Sequence, residues 1–285
     1  MTDVTRSAAF FDLDKTVIAK SSALAFGRPF FQGGLINRRA VLKSAYAQFV
    51  FSLAGADEQQ MQRLRAQLTA MVTGWNAAVV HEIVRETLHE IVDPLVYAEA
   101  ADLIEEHRAA GREIVIVSSS GAEMVEPIGE MLGVDRVVAT RLVVEDGRYT
   151  GDIEFYAYGE NKAEAVRGLA AEGGYDLADC YAYSDSITDL PLLAAVGHPT
   201  AVNPDRGLRK AALQRGWPVL RFERPVSIRS RFSTPSTPVV TGAAMGVGAA
   251  VVGLAWYARH RAARVGLLGI DGPAPVPGRR RRRGA

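Results

Sequence analysis

Short, almost wholly apolar runs punctuate this chain, and between them apolar residues recur every third or fourth position. Residues 8–11, 114–118, 180–184, 200–203 and 219–222 have the length and composition of buried strands. The intervening stretches carry helical patterns. One covers 96–110 and ends at Gly111, one starts at Ala122, and one covers 161–172. Strands alternating with helices predict an α/β fold built on a parallel, doubly wound sheet. Residues 19–94 break the alternation with helical runs at 39–54 and 58–72. No repeat with a period of roughly 20 to 50 residues is visible.

Beyond Arg224 the pattern changes. Ser233-Thr234-Pro235-Ser236-Thr237-Pro238 reads as part of an extended linker, assigned to 226–237. Residues 238–258 then carry no charge, and a helix of that length crosses a hydrocarbon core of ~30 Å. Trp256 and Tyr257 stand at its end, Arg259 and Arg261 follow, and Gly242 and Gly246 provide a small-residue face. The expectation is a C-terminal transmembrane helix at 238–258 and a basic tail at 259–285. Many Gly and Ala residues make the segment only mildly apolar, so a buried helix is the alternative.

Charge divides at the same place. The net charge of +1 conceals 21 Lys+Arg against 30 Asp+Glu in residues 1–220, and 12 against 2 in residues 221–285. An acidic body therefore carries a basic end. The acidic body offers no basic, aromatic-studded face, so nucleic acid is not an expected partner. Arg279 to Arg283 read as a solvated tail drawn to anionic lipid. The sole cysteine, Cys180, requires no oxidising compartment. The 285 residues are ample for a sizeable core.

Candidate chemistry begins at the end of the first apolar run, in Phe10-Phe11-Asp12-Leu13-Asp14-Lys15-Thr16-Val17. Alternate residues of an extended segment share a side, so Asp12 and Asp14 can face one site while Lys15 points away and receives no role. Two crowded carboxylates call for a cation, and a hard ion such as Mg²⁺ suits them. The alternative is a strand-end turn with solvated acids. Ser118-Ser119-Ser120-Gly121 joins a strand to a helix N-terminus, which suits a bound phosphate or an ordinary Ser-rich cap. Lys162 lies near the start of a helical run, where a solvated lysine is the default. Asp185 and Asp189 follow the strand at 180–184, at the end of a sheet where α/β folds keep their ligands.

Taken together, Asp12-x-Asp14-x-Thr16, Ser118, Lys162 and Asp185-x-x-x-Asp189 resemble the four motifs of the haloacid dehalogenase superfamily. More narrowly they resemble its subfamily IB, which contains the phosphoserine phosphatases. The hairpin-like stretch 141–152 and Tyr183-Ser184-Asp185-Ser186 agree, and the likeness covers residues 8 to about 222. P-type ATPases share Asp-Lys-Thr but are much longer. The resemblance implies a Mg²⁺-dependent phosphomonoester hydrolase. Asp12 would attack phosphorus, giving an aspartyl-phosphate, and Asp14 would act as general acid and base. Ser118 and Lys162 would hold the phosphoryl group, aided by Thr16 and Ser119. Asp12, Asp14, Asp185 and Asp189 would form the metal site, with Asp189 acting from behind.

The resemblance also implies a catalytic core of residues 1–18 and 95–225, and a helical cap at 19–94 with Phe49-Val50-Phe51 in its interior. Arg63, Arg65 and Arg85 are candidate substrate readers. One departure bears on substrate: Ser21 stands where phosphoserine phosphatases carry the glutamate that reads the amine. Small phosphorylated metabolites and phospho-head-groups are the expected substrates. With no secretory signal before Asp12, the expected arrangement is a membrane-anchored protein with its catalytic domain in the cytoplasm. The competing function is a membrane-anchored regulatory protein that binds phosphorylated ligands without turnover; oligomeric state is left open.

Overall fold

Residues 6–36 and 69–227 are described by the computed structural model. The expected helical run at 39–54, most of that at 58–72, Phe49 to Phe51, Arg63 and Arg65 lie outside them, as does everything after residue 227. The described residues belong to a unit spanning Met1–Ser233.

The first strand, β1 (Ala8–Phe11), forms because all four of its residues are apolar and buried. Two short helices follow, α1 (Ser22–Ala25) and α2 (Gly27–Gln32), and later α3 (Ala77–Ile91). Asn76 caps α3 by accepting a hydrogen bond from the Val79 N–H at 3.2 Å. Next come α4 (Ala98–Ala109), β2 (Glu113–Gly121), α5 (Ala122–Leu132), and the pair β3 (Arg136–Glu145) and β4 (Arg148–Phe155). The chain continues through α6 (Glu160–Gly173), β5 (Tyr181–Ser184), α7 (Leu190–Ala194), β6 (His198–Val202), α8 (Arg206–Arg215) and β7 (Val219–Leu220).

These strands form one sheet in the order β4-β3-β2-β1-β5-β6-β7. Every neighbouring pair is parallel except β3 with β4, so a hairpin closes one edge of an otherwise parallel sheet. Strand alternation divides the core between two faces. Ala8, Phe10, Val115 and Val117 pack with Val166 of α6, Leu192 of α7 and Leu208 of α8. Ala9, Phe11, Ile114 and Ile116 pack with Ile104 of α4 and Val125 of α5. Helices therefore cover both faces, as the strand–helix alternation predicts. Each expected strand is present, although β7 is shorter than 219–222 and β2 runs on to Gly121.

Between β1 and β2 the chain leaves and returns through one point. Ile18 bridges Val96 in antiparallel fashion, Ala19 N–H donates to the Leu95 carbonyl at 2.8 Å, and Tyr97 N–H donates to the Val17 carbonyl at 3.0 Å.

The membrane-anchored arrangement is corrected. Among the described residues no helix is long and apolar enough to cross a membrane. The segment 238–258 on which that expectation rested lies outside them, and its Gly and Ala content dilutes the apolar character a span needs.

Of the described glycines, the most closely approached lies where the turn before β6 meets the short helical turn Leu177–Asp179. Gly197 N–H donates to the Leu177 carbonyl at 2.8 Å, and a Cβ on Gly197 would overlap the main-chain carbonyl of Ala178. Main chain cannot rotate aside as a side chain can. Gly197→Ala should lower stability by about 2–3 kcal/mol in urea denaturation, at the upper end for overpacking; an unchanged midpoint would contradict this packing.

Candidate active site

The middle of the sheet sets the site. Asp12 follows β1 directly, and its N–H donates to the Tyr183 carbonyl of β5 at 2.9 Å. Beneath it, the Phe11 ring stacks on Tyr183 with centroids 4.7 Å apart. The Tyr183 hydroxyl lies 2.8 Å from His107 Nε2, and Arg112 Nη1 lies 3.2 Å from His107 Nδ1. A guanidinium only donates, so Nδ1 accepts and Nε2–H donates to Tyr183. Burial, reinforced by the Arg112 charge, pulls His107 down to about 4 and keeps it neutral. This buried relay fixes the floor on which Asp12 stands.

Opposite Asp12, the first turn of α6 delivers Lys162. Its buried Nζ donates to Asp12 Oδ1 and to Asp189 Oδ2, each at 2.8 Å. Ser184 Oγ donates to Asp189 Oδ2 at 2.7 Å, and Thr16 Oγ1 makes a longer contact of 3.3 Å with Asp12 Oδ2. Burial pulls the Lys162 ammonium down, but Asp12 and Asp189 more than reverse this and hold it above its ordinary value. Burial pushes Asp12 up to about 7, against the opposing pull of Lys162. The two directions have one explanation. A single ammonium is shared by two buried carboxylates, so the lysine stays charged while the acids are under-compensated.

Asp185 adds to that excess. Burial and then the Asp12 charge push it up to about 8, while Lys15 draws it down. Lys15 itself is exposed. The strand ends at Phe11, and Lys15 lies in a turn with φ of 62°, so the period-two rule no longer applies. Asp205 secures the same loop. Its N–H donates to the Asp185 carbonyl at 2.7 Å, and its carboxylate accepts from the N–H groups of Ile187 and Leu208.

The third side comes from the end of β2. Ser118 is buried, and its Oγ accepts from Ser120 N–H at 3.2 Å. Asp14 accepts through both oxygens, from Ser22 N–H at 2.8 Å and from Ser120 Oγ at 3.0 Å. Ser119 is exposed, and its carbonyl accepts from Thr140 Oγ1 at 2.8 Å. The structure therefore brings Asp12, Asp14, Thr16, Ser118, Lys162, Asp185 and Asp189 to one end of the sheet, with Ser119 at the surface. Arg85 is exposed on α3. Sequence reasoning gave no individual role to Ser22, Ser120, Ser184, His107, Tyr183 or Asp205, although Ser120, Tyr183 and Ser184 stood inside stretches it singled out.

No three His, Cys, Asp or Glu side chains among the described residues gather into a ready-made metal cage. Asp12 accepts from Lys162 and Thr16, Asp189 accepts from Lys162 and Ser184, and the Asp12 charge helps to push Asp185 up. Two carboxylates without a full cage are the usual protein share of a Mg²⁺ site, the remainder being water and phosphate.

Residues 9–194 match the haloacid dehalogenase-like hydrolase family. The chain belongs to that family, and its enzyme class is phosphoric monoester hydrolase. It is 64% identical over 265 residues to the "inhibition of morphological differentiation protein" of Streptomyces azureus, spanning 91% of this chain and 96% of that one. It is 62% identical over 257 residues to a protein of Mycobacterium tuberculosis described as a probable phosphatase, spanning 90% of each. Among solved structures, a protein of unknown function from Bordetella pertussis Tohama I superposes with a TM-score of 0.66 at 29% identity. That match covers 76% of this chain and 99% of the other.

Lys162→Met would leave Asp12 and Asp189 buried together without their shared cation, a loss of about 3–5 kcal/mol. The penalty in metal-free protein should be largest at pH 8 and smaller at pH 5. Asp12 sits above its unfolded value, so the folded state binds that proton more tightly, and stability falls as pH rises through about 7. Urea denaturation in EDTA at the two pH values measures it, and equal losses would contradict the shared-cation account.

Proposed function

We propose that this phosphatase hydrolyses a small phosphate monoester in two steps, with Asp12 as nucleophile and Asp14 as the group that moves the proton. The observation that carries this reading is the buried Lys162 ammonium held between Asp12 and Asp189. In the first step an Asp12 carboxylate oxygen bonds to phosphorus, the ester P–O bond breaks, and the leaving oxygen takes a proton from Asp14. In the second, water bonds to phosphorus and gives its proton to the Asp14 carboxylate. The bond to Asp12 breaks and inorganic phosphate leaves. Lys162 and the hydroxyls of Ser118 and Thr16 stabilise the charge spread over the phosphoryl oxygens.

The residues present fit Mg²⁺. Asp12 and Asp185 would hold it with the main-chain carbonyl of Asp14, and Asp189 would act from behind by orienting Lys162. When bound, the ion supplies the positive charge that the acidic cluster lacks and neutralises phosphate oxygens.

The same reading divides the chain into a core of residues 1–18 and 95–225 and a cap at 19–94 that closes over the site. Support comes from the Ile18–Val96 bridge, through which both connections to the inserted segment pass. For the substrate, Ser21 offers no carboxylate to an ammonium, so phosphorylated metabolites and head-groups beyond phosphoserine are the favoured class.

The test is turnover by the full chain of phosphoserine, phosphocholine, phosphoethanolamine, glycerol phosphates and lysophosphatidate, with Mg²⁺ and with EDTA. Activity should need Mg²⁺ and fall by about a thousandfold or more in Asp12→Asn. Near wild-type turnover by that variant would rule out Asp12 as nucleophile.

A further inference from the structure

Asp14 is held by two donors of different kinds. Its Oδ1 accepts from the Ser22 main-chain N–H at 2.8 Å, a group that can only donate. Its Oδ2 accepts from the Ser120 hydroxyl at 3.0 Å, a group that can donate or accept. Ser120 is itself seated, because the Ser22 hydroxyl donates to Ser120 Oγ at 2.9 Å and Ser22 is fully buried. On its other side, Ser120 N–H donates to Ser118 Oγ at 3.2 Å. One turn at the end of β2 therefore holds both the Ser118 hydroxyl and the Asp14 carboxylate. It fixes the spacing between the Ser118 hydroxyl and the Asp14 carboxylate.

We propose that Ser120, seated by Ser22, is a positioning residue that aims Asp14 at the leaving oxygen and makes Oδ2 the oxygen from which the proton is handed on. The inference rests on the assignment of Asp14 as proton donor. When Asp14 is a carboxylate, Ser120 donates to Oδ2. When Oδ2 carries the proton, the Ser120 hydroxyl keeps donating to the remaining lone pair of Oδ2, so the Oδ2–H points at the leaving oxygen, while the Ser22 N–H holds Oδ1 throughout. Two fixed contacts on one carboxylate remove rotation about its terminal bond, so the proton is presented in one direction. Neither serine touches phosphorus or the departing group, and both act through Asp14.

The test compares an ester whose leaving group needs a proton with one that does not. Rapid-mixing bursts of phenol from phenyl phosphate and of dinitrophenolate from 2,4-dinitrophenyl phosphate report the first step alone, with Mg²⁺ present. Ser120→Ala should slow the phenol burst about tenfold and the dinitrophenolate burst by less than about twofold, with KM for both little changed. Ser22→Ala should show the same preference more weakly, and Ser120→Thr, which keeps the hydroxyl, should restore the phenol burst. In an Asp14→Asn background, Ser120→Ala should add nothing, because the proton it positions is gone.

Equal losses on the two esters for Ser120→Ala, or a further loss in the Asp14→Asn background, would overturn the inference. If Asp14→Asn itself slowed both esters alike, the assignment of Asp14 as proton donor would fall, and the inference with it. That outcome differs from one in which only Ser120→Ala fails to discriminate.

Discussion

A single buried ammonium organises this protein's working end. Lys162 Nζ bridges Asp12, at the end of the central strand, and Asp189, beyond the neighbouring strand β5. Each acid would be costly to bury alone, and together they would repel. The lysine makes the cluster tolerable without neutralising it. Asp12 and Asp185 both remain above the ordinary carboxylate range. A site built this way has room for more positive charge, which accords with a divalent cation and with phosphate chemistry. The excess of negative charge is thus the feature from which the proposed metal requirement follows.

Placement of that cluster depends on the sheet. β1 lies between β2 and β5, and the chain proceeds from β1 outward in both directions. Loops from both halves therefore meet at its C-terminal end, where open α/β sheets hold ligands. Phe11 on Tyr183, and Tyr183 on His107 and Arg112, lock the floor under Asp12 with contacts distant in sequence. Packed support beneath Asp12 and a segment that enters and leaves through the Ile18–Val96 bridge accord with the proposed cap.

Much of this was legible before any coordinates. The strands β1, β2, β5 and β6 announce themselves as apolar runs bounded by polar residues, and the acids and serines that follow them mark the site. What escaped notice obeys different rules. Strand alternation is no guide at Lys15, which lies past the end of β1 where φ becomes positive. Ser22 and Ser120 lie 98 positions apart, and no local pattern announces that they touch. His107 sits on an ordinary amphipathic helix and reveals itself only through Tyr183 and Arg112. The expected span at 238–258 rested on length, absence of charge, flanking Trp, Tyr and Arg and a small-residue face, and the Gly and Ala content noted against it was given too little weight.

Covalent capture of the nucleophile tests the central claim most directly. Protein mixed with a phosphate ester and Mg²⁺, quenched in acid within milliseconds and reduced with borohydride, converts an acyl phosphate to an alcohol at the modified residue. Peptide mass spectrometry should then find homoserine at position 12 and at no other acidic residue. Turnover without any such product, or reduction at Asp14, Asp185 or Asp189 instead, would contradict the account.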